Sequence, residues 1–145
     1  VGPDPGGRLG HEHTPRRWQH GTVAVWPGPQ TDLVQGGLEA FCATPWRVGE
    51  LASRVGVRLV ADRLLPGVAP EAWSMPSQGL VHGAVQMTPH GEAVVMLANH
   101  PTTGGYPVIA VVDPGDLGGV AQRRNAERIS FVPAAQRPDS ARRPV

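Results

Sequence analysis

The feature that most restricts the fold is a polar loop enclosed by two short apolar runs, residues 93–98 and Val108–Val112. The second run is apolar throughout, which predicts a strand buried on both faces. The loop between the runs contains Thr-Thr-Gly-Gly-Tyr-Pro at positions 102–107. Its glycine pair lets the backbone take positive φ and approach a ligand or another backbone, and Pro107 sets the exit. Polar groups on a loop held by buried strands are typical of a binding site.

Composition favours one small β-rich domain. The 145 residues include 19 glycines and 16 prolines, which favours a turn-rich β protein over a helical bundle. The formal net charge is only +1, so neither nucleic acid nor a membrane is expected as a partner. Cys42 is the single cysteine, which excludes an intrachain disulfide and suits a cytoplasmic protein. No apolar run approaches the roughly 20 residues of a membrane span, and no signal-peptide pattern is seen.

We predict one domain over residues 19–132, preceded by a disordered or remnant segment at 1–18 and followed by a flexible tail at 133–145. Hairpin-like turns between the strands predict mostly antiparallel pairing in a β-barrel or sandwich. Strands are predicted at residues 22–26, 46–48, 55–60, 83–87, 93–98, 108–112 and 128–132.

Two short helices are predicted beside these strands. Asp32 is the expected N-cap of the first, with Gln35 as its capping-box partner three positions later. Its apolar face is formed by Val34, Leu38 and Phe41. The second helix is a short turn within residues 113–121.

The Thr-Thr-Gly-Gly-Tyr-Pro loop is the first candidate site. Backbone N–H groups around Gly104 and Gly105 could form an anion nest for a carboxylate, a phosphate or the oxyanion of an amide carbonyl. The hydroxyls of Thr102 and Thr103 and the phenol of Tyr106 could add hydrogen bonds. The alternative is a tight β-turn whose glycines only satisfy backbone geometry.

Five further side chains are weaker candidates. Gln86 could orient an amide substrate, or it could make a cross-strand hydrogen bond. Arg54 directly precedes the predicted strand at 55–60; if that strand includes it, Arg54 and Arg58 share one face and could hold a carboxylate, with a solvated face as the alternative. His100 and His82 could act as acid–base groups near neutral pH, although histidines of this kind are more often surface residues.

Other chemistry is poorly supported. His11-Glu12-His13 lacks the helical His-Glu-x-x-His spacing, and we predict no metal site in this chain. Cys42 has no obvious base beside it and is better interpreted as a small buried hydrophobe than as a nucleophile. All 13 basic residues are arginine, so the chain has no lysine for a phosphate-binding loop.

A set of segments in consistent order between residues 20 and 132 resembles one family. These are Gly-Pro-Gln-Thr-Asp at 28–32, Ser-Arg-Val-Gly-Val-Arg-Leu at 53–59, Ser-Gln-Gly-Leu-Val-His-Gly-Ala-Val-Gln at 77–86, Pro-His-Gly at 89–91, the 102–107 loop, residues 116–122 and Arg-Ile-Ser-Phe at 128–131. They resemble the C-terminal half of the allophanate hydrolase subunit 2 family. That family is also known as the C subunit of 5-oxoprolinase or as Kip antagonist, and it includes the biotin-dependent carboxyltransferase region of urea amidolyase.

The resemblance implies a cyclophilin-like β-barrel with one or two short helices. It also implies a component of an ATP-dependent enzyme system that would hydrolyse 5-oxoproline to glutamate together with the A and B subunits. ATP is expected at the level of the complex, and biotin only for a reaction like that of urea carboxylase. The expected catalytic residues are Tyr106, Thr103 and His100. The expected substrate-binding residues are Gln86, Thr102, Gly104, Gly105, Arg54 and Arg58.

The chain departs from the family pattern at named positions. His82 stands where Pro is usual, Asn99 where Asp precedes the loop, Gln78 where Glu is common, and Asn125-Ala126 where Pro-Gly is usual. Two carboxylates that could act as acid, base or orienting group are therefore missing. The family's N-terminal half is not matched, so activity of this chain alone is not expected. A non-catalytic module that docks the B subunit and a urea- or allophanate-type carboxyltransferase half are the alternatives.

Overall fold

The computed structural model describes residues 21–63 and 67–137, so the predicted segment at 1–18 and the tail beyond 137 lie outside the described residues. The strands are β1 Val23–Pro27, β2 Trp46–Ala52, β3 Gly56–Ala61, β4 Gln78–Gly79, β5 Ala84–Met87, β6 Ala93–Met96, β7 Thr103–Gly104, β8 Val108–Val112, β9 Arg128–Ile129 and β10 Phe131–Pro133. The α-helices are α1 Gly37–Ala43 and α2 Leu117–Ala121, and 3-10 helices span Thr31–Leu33, Pro70–Ser74 and Ala134–Gln136. Among the described residues, no helix combines the length and the apolar character that a membrane crossing requires.

Eight strands form one sheet in the order β10-β1-β8-β5-β6-β3-β2-β9. Only Ser130 separates β9 from β10, yet β9 pairs with β2 at one edge and β10 pairs with β1 at the other. One continuous stretch of chain therefore brings both edges together and nearly closes the sheet into a barrel. The pairings are antiparallel except that of β1 with β10. The prediction of a mainly β barrel with two short helices is confirmed.

Alternate side chains of the strands fill the barrel. On β3, Val57 and Leu59 are fully buried, whereas Arg58 between them points to the outer face and is partly exposed. The sequence predicts that Val55, Val57 and Leu59 alternate with Gly56, Arg58 and Val60; this is confirmed for residues 57–59 but wrong for Val55, which precedes the strand and is 47% exposed. The same alternation on the other strands supplies the rest of one core, including Val23, Val25, Trp46, Val48, Val85, Met87, Val95, Ala110, Val112, Ile129 and Phe131.

Helix α1 packs against β10 through an aromatic cluster. The Phe41 ring lies 4.9 Å from the Phe131 ring and 5.2 Å from the Trp46 ring, centroid to centroid. The indole Nε1 of Trp46 donates a hydrogen bond to the Phe41 carbonyl at 3.0 Å. A tryptophan can be buried here because its only polar atom is satisfied.

The helix cap predicted at Asp32 is wrong. Asp32 lies in the 3-10 helix Thr31–Leu33, and α1 begins at Gly37 after an N-cap at Gly36 that makes no side-chain hydrogen bond. Gly36 has φ of 82°, a left-handed conformation that interrupts the helical path between the two elements. The apolar face was nevertheless predicted correctly, since Val34, Leu38 and Phe41 are all buried.

Two two-residue strands and two 3-10 helices were not predicted. Strands β4 and β7 have two residues each, which is too short to show a period of two. The 3-10 helix Pro70–Ser74 lies within a stretch predicted as a connector. The 3-10 helix Ala134–Gln136 lies within the stretch predicted as a tail, and the Arg137 guanidinium after it pairs with the buried Asp116 carboxylate at 2.8 Å.

Candidate functional site

The Thr-Thr-Gly-Gly-Tyr-Pro loop pairs with the segment before β5 on the outer face of the barrel. Gln78 lies opposite Gly104 and Gly79 opposite Thr103, and the Leu80 N–H donates to the Thr102 carbonyl at 2.9 Å. This small sheet covers a second apolar cluster on the outside of the barrel, formed by Leu80, Ala84, Met96 and Val108. The loop is therefore anchored at its centre by β-pairing and beneath by apolar contacts.

Gln86 fixes the loop from below. Its side chain is 4% exposed, and its Nε2 donates a hydrogen bond to the Tyr106 carbonyl at 3.0 Å. A Cβ added to Gly104 would lie 2.7 Å from that Nε2 and 2.9 Å from Cδ1 of Leu80. A side chain at position 104 would therefore displace the Gln86 amide and the end of the Leu80 side chain.

The positive φ predicted for the glycine pair is wrong, because neither Gly104 nor Gly105 has a positive φ. Gly104 instead belongs to β7, and Gly105 follows it with room for a side chain. An anion nest of alternating right- and left-handed residues needs a left-handed position that this pair does not supply. Side-chain hydroxyls, rather than a nest, are the polar groups that the loop offers.

The hydroxyl-bearing side chains of the loop face outward. Thr102 and Thr103 are exposed, and Tyr106 is 46% exposed. None of their hydroxyls bonds to a side chain or carbonyl within residues 21–63 or 67–137. A rigid backbone therefore presents three donor–acceptor groups to whatever approaches this face.

A reciprocal amide pair lies beside the loop. Gln30 Nε2 donates to Gln78 Oε1 at 3.1 Å, and Gln78 Nε2 donates to Gln30 Oε1 at 2.8 Å. The same Gln30 oxygen accepts the N–H of Val108 at 2.9 Å. The pair joins the 28–31 turn to β4 and to the first residue of β8. Both residues belong to segments that resemble the family, but no sequence pattern predicted their pairing, since 48 positions separate them.

The two arginines of the predicted site do not act as a pair. Arg58 on β3 is in register with Val94 on β6, and Val94 is in register with Gln86 on β5. Arg58 and Gln86 therefore lie on the same face of the sheet, two strand spacings or about 10 Å apart. The Arg58 guanidinium forms an ion pair with the Glu92 carboxylate. Arg54 precedes β3 in a bend, so the prediction that both arginines share a strand is wrong.

The histidines lie at the margins of the loop. Nδ1 of His100 contacts the carbonyl of its neighbour Pro101 at 2.7 Å, and the ring is partly exposed. The backbone N–H of the preceding Asn99 donates to the Arg54 carbonyl at 3.0 Å, which places Arg54 beside the start of the loop. His82 is exposed just before β5.

Cys42 has the environment of an unreactive thiol. Burial, together with the nearby Glu39 carboxylate, raises the pKa of its thiol from 9.0 to about 11. At pH 8 the native thiolate fraction is then about a hundredfold smaller than at the ordinary pKa.

We therefore expect iodoacetamide to alkylate native Cys42 about a hundredfold more slowly at pH 8 than the same chain unfolded in urea. Mass spectrometry over time gives both rates. Equal rates in the two states would contradict a protected thiol.

Within residues 21–63 and 67–137, no three His, Cys, Asp or Glu side chains are grouped as metal ligands would be. The predicted His11-Glu12-His13 cluster lies outside the described residues. Two clefts of about 360 and 430 Å³ lie elsewhere on the molecule, and none of their lining residues belongs to the loop. Outside these two clefts, the side chains of Thr102, Thr103 and Tyr106 are exposed at the surface.

Comparisons with known proteins show the family to which the chain is similar. The family model for the carboxyltransferase domain, subdomain A and B, matches residues 3–133. The chain is 33% identical to the C subunit of 5-oxoprolinase from Escherichia coli over 111 residues, 76% of this chain and 35% of that protein. It is 35% identical to the C subunit of 5-oxoprolinase from Haemophilus influenzae over 86 residues, 59% of this chain and 27% of that protein.

A solved structure shares the fold. The crystal structure of the K. lactis urea amidolyase superposes with a TM-score of 0.69 at 28% identity, covering 77% of this chain and 7% of that one. The chain thus spans about a third or less of the relatives it matches. Since the family model covers nearly all of its length, the chain belongs to the family of the carboxyltransferase domain, subdomain A and B.

Proposed function

We propose that this chain supplies one face of the active site of an amide-hydrolysing enzyme of the 5-oxoprolinase type. The observation that carries the proposal is the loop itself. Gln86 and Gly104 fix its backbone, while the side chains of Thr103 and Tyr106 remain free to meet a ligand. Two relatives more than 30% identical bear the name of the 5-oxoprolinase C subunit, which supports this choice of reaction.

The chemistry follows from the groups that the loop offers. A cyclic amide carbonyl gains negative charge on oxygen when water attacks its carbon, and hydroxyl donors aimed at that oxygen stabilise the transition state. Tyr106 and Thr103 would donate to it, and Thr102 would bind the substrate beside them. His100 would act as an acid or base at the margin of the loop. Arg54 would hold the substrate carboxylate, because Arg58 is already paired with Glu92.

The remaining parts of the site would come from partners. The loop does not lie in either cleft described above, so we propose that the A and B subunits cover it and exclude water from it. The chain has no lysine for a phosphate loop, so nothing in its sequence supports an ATP site of that type. We therefore assign ATP to a partner protein.

A second reaction remains an alternative because of the likeness to urea amidolyase. In that case the same face would support transfer of a carboxyl group from carboxybiotin to urea, and biotin would be carried elsewhere. Arg54 would hold a carboxylate in either reaction, so it is the names of the two relatives above 30% identity that favour the first one. A non-catalytic module that docks the B subunit is the third candidate, since the open loop suits a docking surface as well.

The test is a Tyr106→Phe variant of the full chain combined with the A and B subunits. The Tyr106 hydroxyl bonds to no described residue, so its removal should leave the melting temperature unchanged. We expect 5-oxoproline-dependent ATP hydrolysis to fall at least about tenfold, as for the loss of a transition-state donor.

Wild-type turnover by this variant would refute a catalytic role for the phenol. Capture of the B subunit by the wild-type chain without any effect on ATP hydrolysis would favour the docking module. Activity with urea and biotin in place of 5-oxoproline would favour the carboxyl transfer.

A further inference from the structure

A cleft of about 360 Å³ lies where the barrel closes, away from the Thr102–Tyr106 side chains. It is lined by Gly21 and Thr22 before β1, by Arg123 after α2, and by Glu127, Arg128 and Ser130 around β9. The backbone here is well ordered by hydrogen bonds, since the Val23 N–H donates to the Ser130 carbonyl at 2.8 Å.

Arg123 holds the two sides of this cleft together. Its NH1 donates to the Arg128 carbonyl at 3.0 Å, and its NH2 donates to the Gly21 carbonyl at 3.1 Å. Both acceptors are neutral, so these bonds position the guanidinium without cancelling its charge. The cleft is thus built around a positive group of defined orientation.

Further positive charge surrounds it. Arg128 also lines the cleft, and it lies directly opposite Arg47 in the pairing of β9 with β2. Among the described residues, the arginines in ion pairs are Arg47, Arg58 and Arg137, which bind Asp62, Glu92 and Asp116 respectively. Within that part of the chain, Glu127 is the acidic residue that lines the cleft, and no ion pair joins it to Arg123 or Arg128.

We propose that this cleft binds a small oxyanion. The guanidinium groups of Arg128 and Arg123 would supply charge-assisted hydrogen bonds, and the hydroxyls of Thr22 and Ser130 would add neutral ones. Bound there, the anion would neutralise charge on Arg123 and Arg128 and join β1 to β9 at the barrel closure. This site is separate from the loop and does not depend on the proposed reaction.

The test titrates the full chain with inorganic phosphate by calorimetry, with acetate as a second arm for a planar carboxylate. Arg128→Gln keeps the main-chain carbonyl that Arg123 uses, so the fold should persist. We expect this variant to bind phosphate about tenfold more weakly, because it loses one charged donor. Glu127→Gln should bind phosphate more tightly, since it removes the like charge in the cleft.

Arg124→Gln is the matched control. It removes the same charge at a nearby position, but Arg124 does not line the cleft, so phosphate affinity should change less than about twofold. Equal weakening by both arginine variants would show a general charge effect and overturn the site. Absence of saturable binding of both anions to the wild-type chain in the millimolar range would overturn it too. Saturation by acetate alone would retain the oxyanion site and identify its ligand as a carboxylate.

Discussion

Gly104→Ala should inactivate the loop and destabilise the protein at the same time. The new methyl carbon would meet Nε2 of Gln86 at 2.7 Å and Cδ1 of Leu80 at 2.9 Å, so both side chains must move. Overpacking of this kind costs about 1–3 kcal/mol, and loss of the Gln86 hydrogen bond to the Tyr106 carbonyl adds about 1 kcal/mol. Urea denaturation measures the stability, and 5-oxoproline-dependent ATP hydrolysis with the A and B subunits measures the loop's function.

Gly105→Ala is the control that separates packing from mere loss of a glycine. Its methyl carbon would lie 3.8 Å from Oγ of Ser77, an ordinary contact, and Gly105 has no positive φ to lose. We expect the free energy of unfolding to change by less than about 0.5 kcal/mol. Equal losses of stability from both variants would mean that the packing of Gly104 on Gln86 does not determine the conformation of the loop.

The largest loss of stability is expected from Asp116→Ala. Asp116 is 6% exposed, and its Oδ2 accepts the Ala24 N–H at 2.8 Å and NH1 of Arg137 at 2.8 Å. Its Oδ1 accepts NH2 of Arg137 at 3.2 Å. Removing this carboxylate leaves a guanidinium that is largely buried and a buried N–H without their acceptor, which costs about 3–5 kcal/mol. Denaturant titration monitored by tryptophan fluorescence measures it.

Asp113→Ala provides a matched comparison on the same turn. The Asp113 carboxylate accepts Nε1 of Trp26 at 3.1 Å and the Gly115 N–H at 3.0 Å, both at exposed positions. Water can replace it there, so we expect a loss below about 1 kcal/mol. A loss at Asp116 no larger than at Asp113 would show that the Asp116–Arg137 pair does not hold the 134–137 segment on the barrel.

Much of the strand pattern could be predicted because it is local. The apolar run Val108–Val112 is almost entirely buried, as its composition requires, and Val57 and Leu59 alternate with Arg58 as a half-buried strand does. The stretch 128–132 was predicted as one strand, but Ser130 divides it into two that pair with different neighbours. No local pattern records which edge of a sheet a strand will join.

The candidate site was predicted in part for the same reason. The loop and Gln86 were identified from their residue types, and the structure joins them directly. The positive φ predicted for the glycine pair was wrong. Gly104 instead packs closely against the side chain of Gln86, which is distant in the sequence. The Glu92 carboxylate that pairs with Arg58 also lies on another part of the chain, 34 positions away.

The sequence by itself determined the fold class, the buried strands and the position of the polar loop, since side-chain period and glycine and proline placement act over a few residues. Only the tertiary structure decided the barrel closure by β9 and β10, the Gln30–Gln78 amide pair and the Asp116–Arg137 pair. These contacts join residues distant in sequence, and their geometry depends on the register of strands that neither partner's local sequence specifies.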